Sequence, residues 1–159
     1  MTMVSLVAYS FWLATGAPTG DSSMPGRGYP RLKETDQGFD PERGAVVYAA
    51  KCALCHGADG AGVAYSDGRT LFPPLWGAES YNWGAGMHKI DTAAAFIKHN
   101  MPLGFGGSLR DQDAWDVAAY MNSQERPQDP RHQGDLAATT ERFHGSKLGF
   151  LAQSAKNLH

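Results

Sequence analysis

The chain has 159 residues, with 14 Lys and Arg against 16 Asp and Glu and a formal net charge of −2. That is one ordinary domain with some surplus, long enough to bury roughly 68–70% of its unfolded surface without cross-links. The charge leaves no basic field to hold phosphate backbones, which speaks against a general nucleic-acid binder, and no apolar run approaches the ~20 residues that span a bilayer.

In chain order, residues 1–16 are apolar and aromatic, with Leu6-Val7-Ala8-Tyr9 and Phe11-Trp12-Leu13. A secretory signal wants Lys or Arg near its start, and none occurs before Arg27. The segment instead parallels Val117-Ala118-Ala119-Tyr120 further on, so a helix is expected, with a degenerate signal or a plain extension as alternatives. Unless Phe11 and Trp12 pack on residues 124–159 or on a partner, they mark an interface. Residues 17–39, rich in Gly, Pro and Ser, read as a linker.

Asp40-Pro41-Glu42 opens a helix with Asp40 as N-cap and Pro41 at its first position; it is expected from Glu42 to about Ala53, with Gly44 and Tyr48 on one face. Residues 57–90 are mostly irregular, and Phe72-Pro73-Pro74-Leu75-Trp76-Gly77 is a rigid apolar run suited to wall a flat cofactor. A second helix is expected from Ala93 to about His99, capped by Asp91-Thr92. A third is expected from about Gln112 to Ser123, offering Trp115, Ala118 and Ala119 to Gly44. Residues 127–159 read as a polar wrapping tail with His132, His144 and His159 solvated. No strand-like alternation persists, so the reading is all-α.

The two cysteines stand in Cys52-Ala53-Leu54-Cys55-His56. This Cys-x-x-Cys-His string reads as c-type haem attachment: two cysteines on one helical turn reach the two vinyl groups of a porphyrin, and His56 lies under the iron. A zinc site would want a second Cys or His pair, and a redox dithiol a βαβ setting; neither is visible. For the other axial position Met87, His88, Lys98, His99 and Met101 are candidates. Met101 is favoured because it lies far enough along the chain to return across the haem, with Pro102 stiffening the loop behind it. Pro74, Trp76 and Tyr81 are expected to pack on the haem, and Arg69 or Arg110 to meet a propionate. Thioether formation outside the bacterial cytoplasm implies a periplasmic or otherwise extracytoplasmic site.

From about Asp40 to Arg126 these residues resemble class I c-type cytochromes. Phe72-Pro73-Pro74-Leu75-Trp76-Gly77, Ser80-Tyr81-Asn82, Gly84-Ala85-Gly86-Met87, Asn100-Met101-Pro102 and Ala114-Trp115-Asp116-Val117-Ala118-Ala119-Tyr120 are similar to the C-terminal haem domain of two-haem thiosulfate dehydrogenases. The resemblance implies a class I cytochrome c fold over residues 40–126, with helices around one haem c held through Cys52 and Cys55, an extra N-terminal helix and a long irregular C-terminal tail. It implies His56 and Met101 as axial ligands, ferric/ferrous electron transfer in bacterial sulfur-compound oxidation, and redox partner proteins, among them a sulfur-compound dehydrogenase. In that family the catalytic haem belongs to an N-terminal domain with His and Cys as ligands. Here there is one attachment string and no third cysteine, and Asn100 stands where some members carry Lys. The expectation is an electron carrier rather than an enzyme on its own. The alternatives are the electron-exit domain of a thiosulfate dehydrogenase or tetrathionate reductase, and a haem sensor with an open iron position. The N-terminal helix would be the last helix of an upstream haem domain, or a surface for self-association.

Overall fold

The computed structural model describes residues 3–16 and 30–144. Helix α1 spans Met3–Leu13, α2 Pro41–Lys51, α3 Ala53–His56, α4 Ile90–Asn100, α5 Asp111–Asn122 and α6 Leu136–Phe143. A 3₁₀ turn occupies Gly86–His88, and strands β1 (Val63–Ala64) and β2 (Thr70–Phe72) pair antiparallel. The all-α expectation therefore holds, with a two-strand ladder added inside the irregular stretch.

Helix α2 starts where its cap residues demand. The Asp40 carboxylate accepts from the backbone N–H of Glu42 at 2.7 Å and of Arg43 at 3.3 Å, and Pro41 fills the first position, where a missing N–H costs nothing. The expected single helix to Ala53 is instead interrupted at Cys52, whose carbonyl accepts from the N–H groups of both Cys55 and His56. Helix α4 begins before the expected Asp91-Thr92 cap: Lys89 is the flanking residue, and Asp91 sits in the first turn, where its charge suits the positive end of the helix dipole.

Helices α2 and α5 cross at Gly44. A Cβ there would fall 2.6 Å from the carbonyl carbon of Asp116 and 2.8 Å from Tyr120 Cβ, so only glycine permits the approach. The sequence suggested Trp115, Ala118 and Ala119 as the facing residues; the contact is made by Asp116 and Tyr120, one turn apart. Trp115 turns the other way, donating its indole N–H to the Lys33 carbonyl at 3.0 Å and stacking with Phe39. Arg43 clamps the crossing with a fork on Asp116, both N···O distances being 2.8 Å. The backbone N–H of Asp40 donates to the same carboxylate. Tyr48, Ala94, Ile97, Val117, Ala118 and Met121 form the centre of the core between α2, α4 and α5.

The flanking segments are only partly as expected. Of residues 17–39, the described end packs on α5, where Gln112 donates to the Gly38 carbonyl at 2.8 Å. Residues 127–144, expected to be an irregular polar tail, carry α6 and a buried polar cluster. His144 is buried, not solvated: its Nδ1 lies 3.2 Å from Nε2 of buried His88, and its Nε2 lies 2.9 Å from the Asp129 carboxylate. His132 faces the Thr139 hydroxyl, and His159 lies outside the described residues. Helix α1 is exposed along its length, with Phe11 at 74% and Trp12 at 68%. Among the described residues no helix is long and apolar enough to cross a membrane.

Candidate cofactor site

A cavity of about 280 Å³ opens between α2, α3, α4, α5 and the 71–75 segment. Cys52, Cys55 and His56 form part of its wall, together with Tyr81, Met87 and Met101. The rest is largely apolar, including Leu75, Phe96, Ile97, Val117 and Met121. A concave apolar site with a few converging polar atoms is the usual form of a cofactor pocket.

The turn of α3 brings the two thiols to this wall; both are free. Burial, with a smaller contribution from Cys55, pushes the Cys52 thiol up to about 11, so unattached it is neutral at pH 7. His56 Nδ1 lies 2.9 Å from the Pro73 carbonyl oxygen. A carbonyl only accepts, so Nδ1 carries the proton and Nε2 keeps its lone pair for a metal. Tyr48 fixes the same turn from behind, donating its hydroxyl to the Gly57 carbonyl at 2.7 Å; burial raises its pKa. Met101 enters from the C-cap of α4, its N–H donating to the Ile97 carbonyl.

These residues fit a covalently attached macrocycle. Two thiols, an imidazole with a free Nε2 and a thioether sulfur share one apolar cavity. Among the described residues no group of three or more His, Cys, Asp or Glu is disposed to hold a bare metal ion, so the zinc alternative has no ligand set here.

The structure separates the other candidates. Met87 lines the cavity, as Met101 does. His88 is turned toward His144 and the Ala85 carbonyl, Lys98 is held by Asp111 and the Leu109 carbonyl, and His99 is exposed. Tyr81 lines the cavity, whereas Pro74 and Trp76 do not; their neighbours Pro73 and Leu75 do. Trp76 instead packs on Tyr48 and Tyr120 and over Gly60, whose φ of +68° and missing Cβ make room for the indole. Arg69 and Arg110 are taken by Asp67 and Asp113 and lie outside the cavity wall. Sequence reasoning missed Lys51, Phe96 and Met121 as lining residues, although a helical period from Val117 would have reached Met121.

The family model described as "Cytochrome C oxidase, cbb3-type, subunit III" matches residues 39–121. A thiosulfate dehydrogenase of Stutzerimonas stutzeri (strain A1501) is 58% identical over 143 residues, covering 89% of this chain and 46% of that protein. A thiosulfate dehydrogenase of Thiomonas intermedia (strain K12) is 56% identical over 147 residues, covering 92% and 46%. The solved structure of thiosulfate dehydrogenase (TsdBA) from Marichromatium purpuratum, in its as-isolated form, superposes with a TM-score of 0.77 at 61% identity, covering 91% of this chain and 30% of that one. The chain thus spans about half the length of the curated relatives it matches.

Proposed function

The chain belongs to the cytochrome c family and carries haem c covalently; from that premise we propose that Cys52 and Cys55 form its two thioethers and that His56 and Met101 are its axial ligands. Residues 40–126 then act as a one-electron carrier, serving sulfur-compound oxidation in the periplasm. The observation that carries this reading is the convergence of both thiols, His56 and the Met101 sulfur on one apolar cavity. Bound there, haem supplies ferric/ferrous cycling at a potential raised by methionine ligation. His56 is oriented by its hydrogen bond to Pro73, which fixes its tautomer. The side chains of Phe96, Ile97, Val117 and Met121 keep water from the cavity.

A second reading has a specific support. The relatives are thiosulfate dehydrogenases of which this chain spans about half, so the domain also suits the electron-exit position of such an enzyme. Joining two thiosulfates releases two electrons, and one haem accepts one at a time. That activity therefore needs a further redox centre, contributed by an upstream haem domain or a redox partner protein. The sensor reading is weaker, because three methionines, Met87, Met101 and Met121, already line the cavity.

The test is the optical spectrum of the purified protein, oxidised and reduced. A weak sulfur-to-iron band near the red edge, lost in Met101→Ala and kept in Met87→Ala, supports the ligation proposed. The reverse pattern would assign Met87 instead. Ready carbon monoxide binding by the wild-type protein would favour the sensor, and thiosulfate oxidation by the 159-residue chain alone would make it an enzyme.

A further inference from the structure

Among the described residues, Asp116, Asp129 and Arg126 are the buried Asp, Glu, Lys or Arg side chains. Asp116 is met by Arg43 at 2.8 Å and Asp129 by Arg131 at 2.6 Å. Arg126 has no such partner among the described residues. It is 6% exposed, one terminal nitrogen donates to the Met121 carbonyl at 2.6 Å, and its Nε and Nη1 groups are buried without an acceptor among the described residues. Its guanidinium carbon lies 4.3 Å from the centre of the Tyr81 ring and 4.9 Å from that of Trp83.

A buried ion without an ion-pair partner is among the costliest features a fold can keep; the Glu125 carboxylate acts on Arg126 without pairing with it, and two aromatic faces compensate the charge only in part. The position is informative. Tyr81 and Met121, which hold the guanidinium, both line the cavity, so the charge sits one side chain behind the wall. Lys51 also lines the cavity, but it is exposed, and water already serves its charge. Arg69 and Arg110 are committed to Asp67 and Asp113 with side chains 76% and 81% exposed.

A haem brings two carboxylates on its edge. We propose that Arg126 is the residue whose buried charge offsets them, and that it thereby holds the reduction potential up. This rests on the cavity being the haem site. Without Arg126 the negative field of the carboxylates at the iron is left uncompensated, and the ferric state gains.

The experiment is a spectroelectrochemical titration of the haem-loaded full chain, comparing wild type with Arg126→Gln, Arg126→Lys, Arg69→Gln and Arg110→Gln. The sulfur-to-iron band is followed in each, so that loss of a ligand is not mistaken for loss of a charge. With the band retained, Arg126→Gln is expected to shift the ferric/ferrous equilibrium about tenfold toward ferric, equivalent to about 59 mV for one electron. Arg126→Lys keeps most of the wild-type potential, and the Arg69 and Arg110 variants keep all of it. An unchanged potential in Arg126→Gln overturns the proposal, as does an equal fall in Arg126→Lys, Arg69→Gln or Arg110→Gln. Should Arg126→Gln fail to mature, Arg126→Lys decides: a retained potential supports the charge role and a tenfold fall overturns it. A wild-type protein that takes up no haem would instead sink the reading of the cavity itself.

Discussion

Gly44→Ala puts a methyl group into the helix crossing that positions the attachment turn. Its carbon would stand 2.6 Å from the carbonyl carbon of Asp116 and 2.8 Å from Tyr120 Cβ, where carbon atoms prefer about 3.5–4.0 Å. The helices must therefore part by about 1 Å. Both obstacles belong to the α5 backbone or its first side-chain atom, so no rotamer change relieves them. Overpacking of this kind costs about 3 kcal/mol, the upper part of the ordinary range, while alanine returns about 1 kcal/mol of helix propensity. The net loss is about 2 kcal/mol, or a fall in Tm of about 8 °C for a domain of this size. Parting α2 from α5 also shifts Cys52, whose N–H is bonded to the Tyr48 carbonyl at the end of α2. Thermal unfolding followed by circular dichroism measures the first effect and the yield of haem-loaded protein the second. Gly86→Ala is the control, since nothing lies within 4 Å of a Cβ there. A Gly44→Ala protein within about 0.5 kcal/mol of wild type, the usual effect of an innocuous surface change, would mean that the crossing has room for a side chain.

Tyr48→Phe removes the hydroxyl that donates to Gly57 at 2.7 Å; a loss of about 1 kcal/mol is expected, read by denaturant unfolding, and no loss would mean that water replaces the bond. Burial is the main cause lowering the pKa of His88, with His144, Lys89 and Arg126 adding to it. A base depressed in the folded state stabilises above its unfolded value of about 6.5, and that contribution is lost as pH falls through it. The Arg131 fork holds the Asp129 carboxyl well below the usual carboxylate range, so its contribution is present above about pH 4 and is lost on further acidification. Stability should therefore decline between pH 7 and 5 and again below 4; His88→Gln removes the first decline and Asp129→Asn the second. A wild-type profile flat from pH 7 to 5 contradicts the role of His88.

What could be read from the sequence was local. The attachment string declares its chemistry within five residues, and Asp40-Pro41 sets the start of α2 by capping alone. The shared face of Gly44 and Tyr48 follows from helical period. Which residues of α5 meet Gly44 depends on the crossing angle, which period does not supply, and Asp116 with Tyr120 took the place expected of Trp115, Ala118 and Ala119. Trp76 was hidden for a similar reason: its direction is set by the left-handed turn at Gly60, distant in sequence. Helix α6 is short, and the residue that caps its C-terminus, His144, is buried against a partner 56 residues away. Nothing in the neighbourhood of Arg126 marks it as buried, because its burial comes from two aromatic residues more than forty positions earlier.

The meeting of His88, His144 and Asp129 bears on how the protein can be shortened. The apolar core ends near Met121, which invites a cut after Arg126. Such a cut removes the Pro127 carbonyl that accepts from the Trp83 N–H, and it takes away both His144 and Asp129. His88 would then lose His144 and keep only the Ala85 carbonyl, and the Trp83 N–H would lose its acceptor, both close in sequence to Met87 in the cavity wall. The limit to shortening is thus marked by where the polar groups are satisfied rather than by where the apolar ones stop, and it lies no earlier than residue 144.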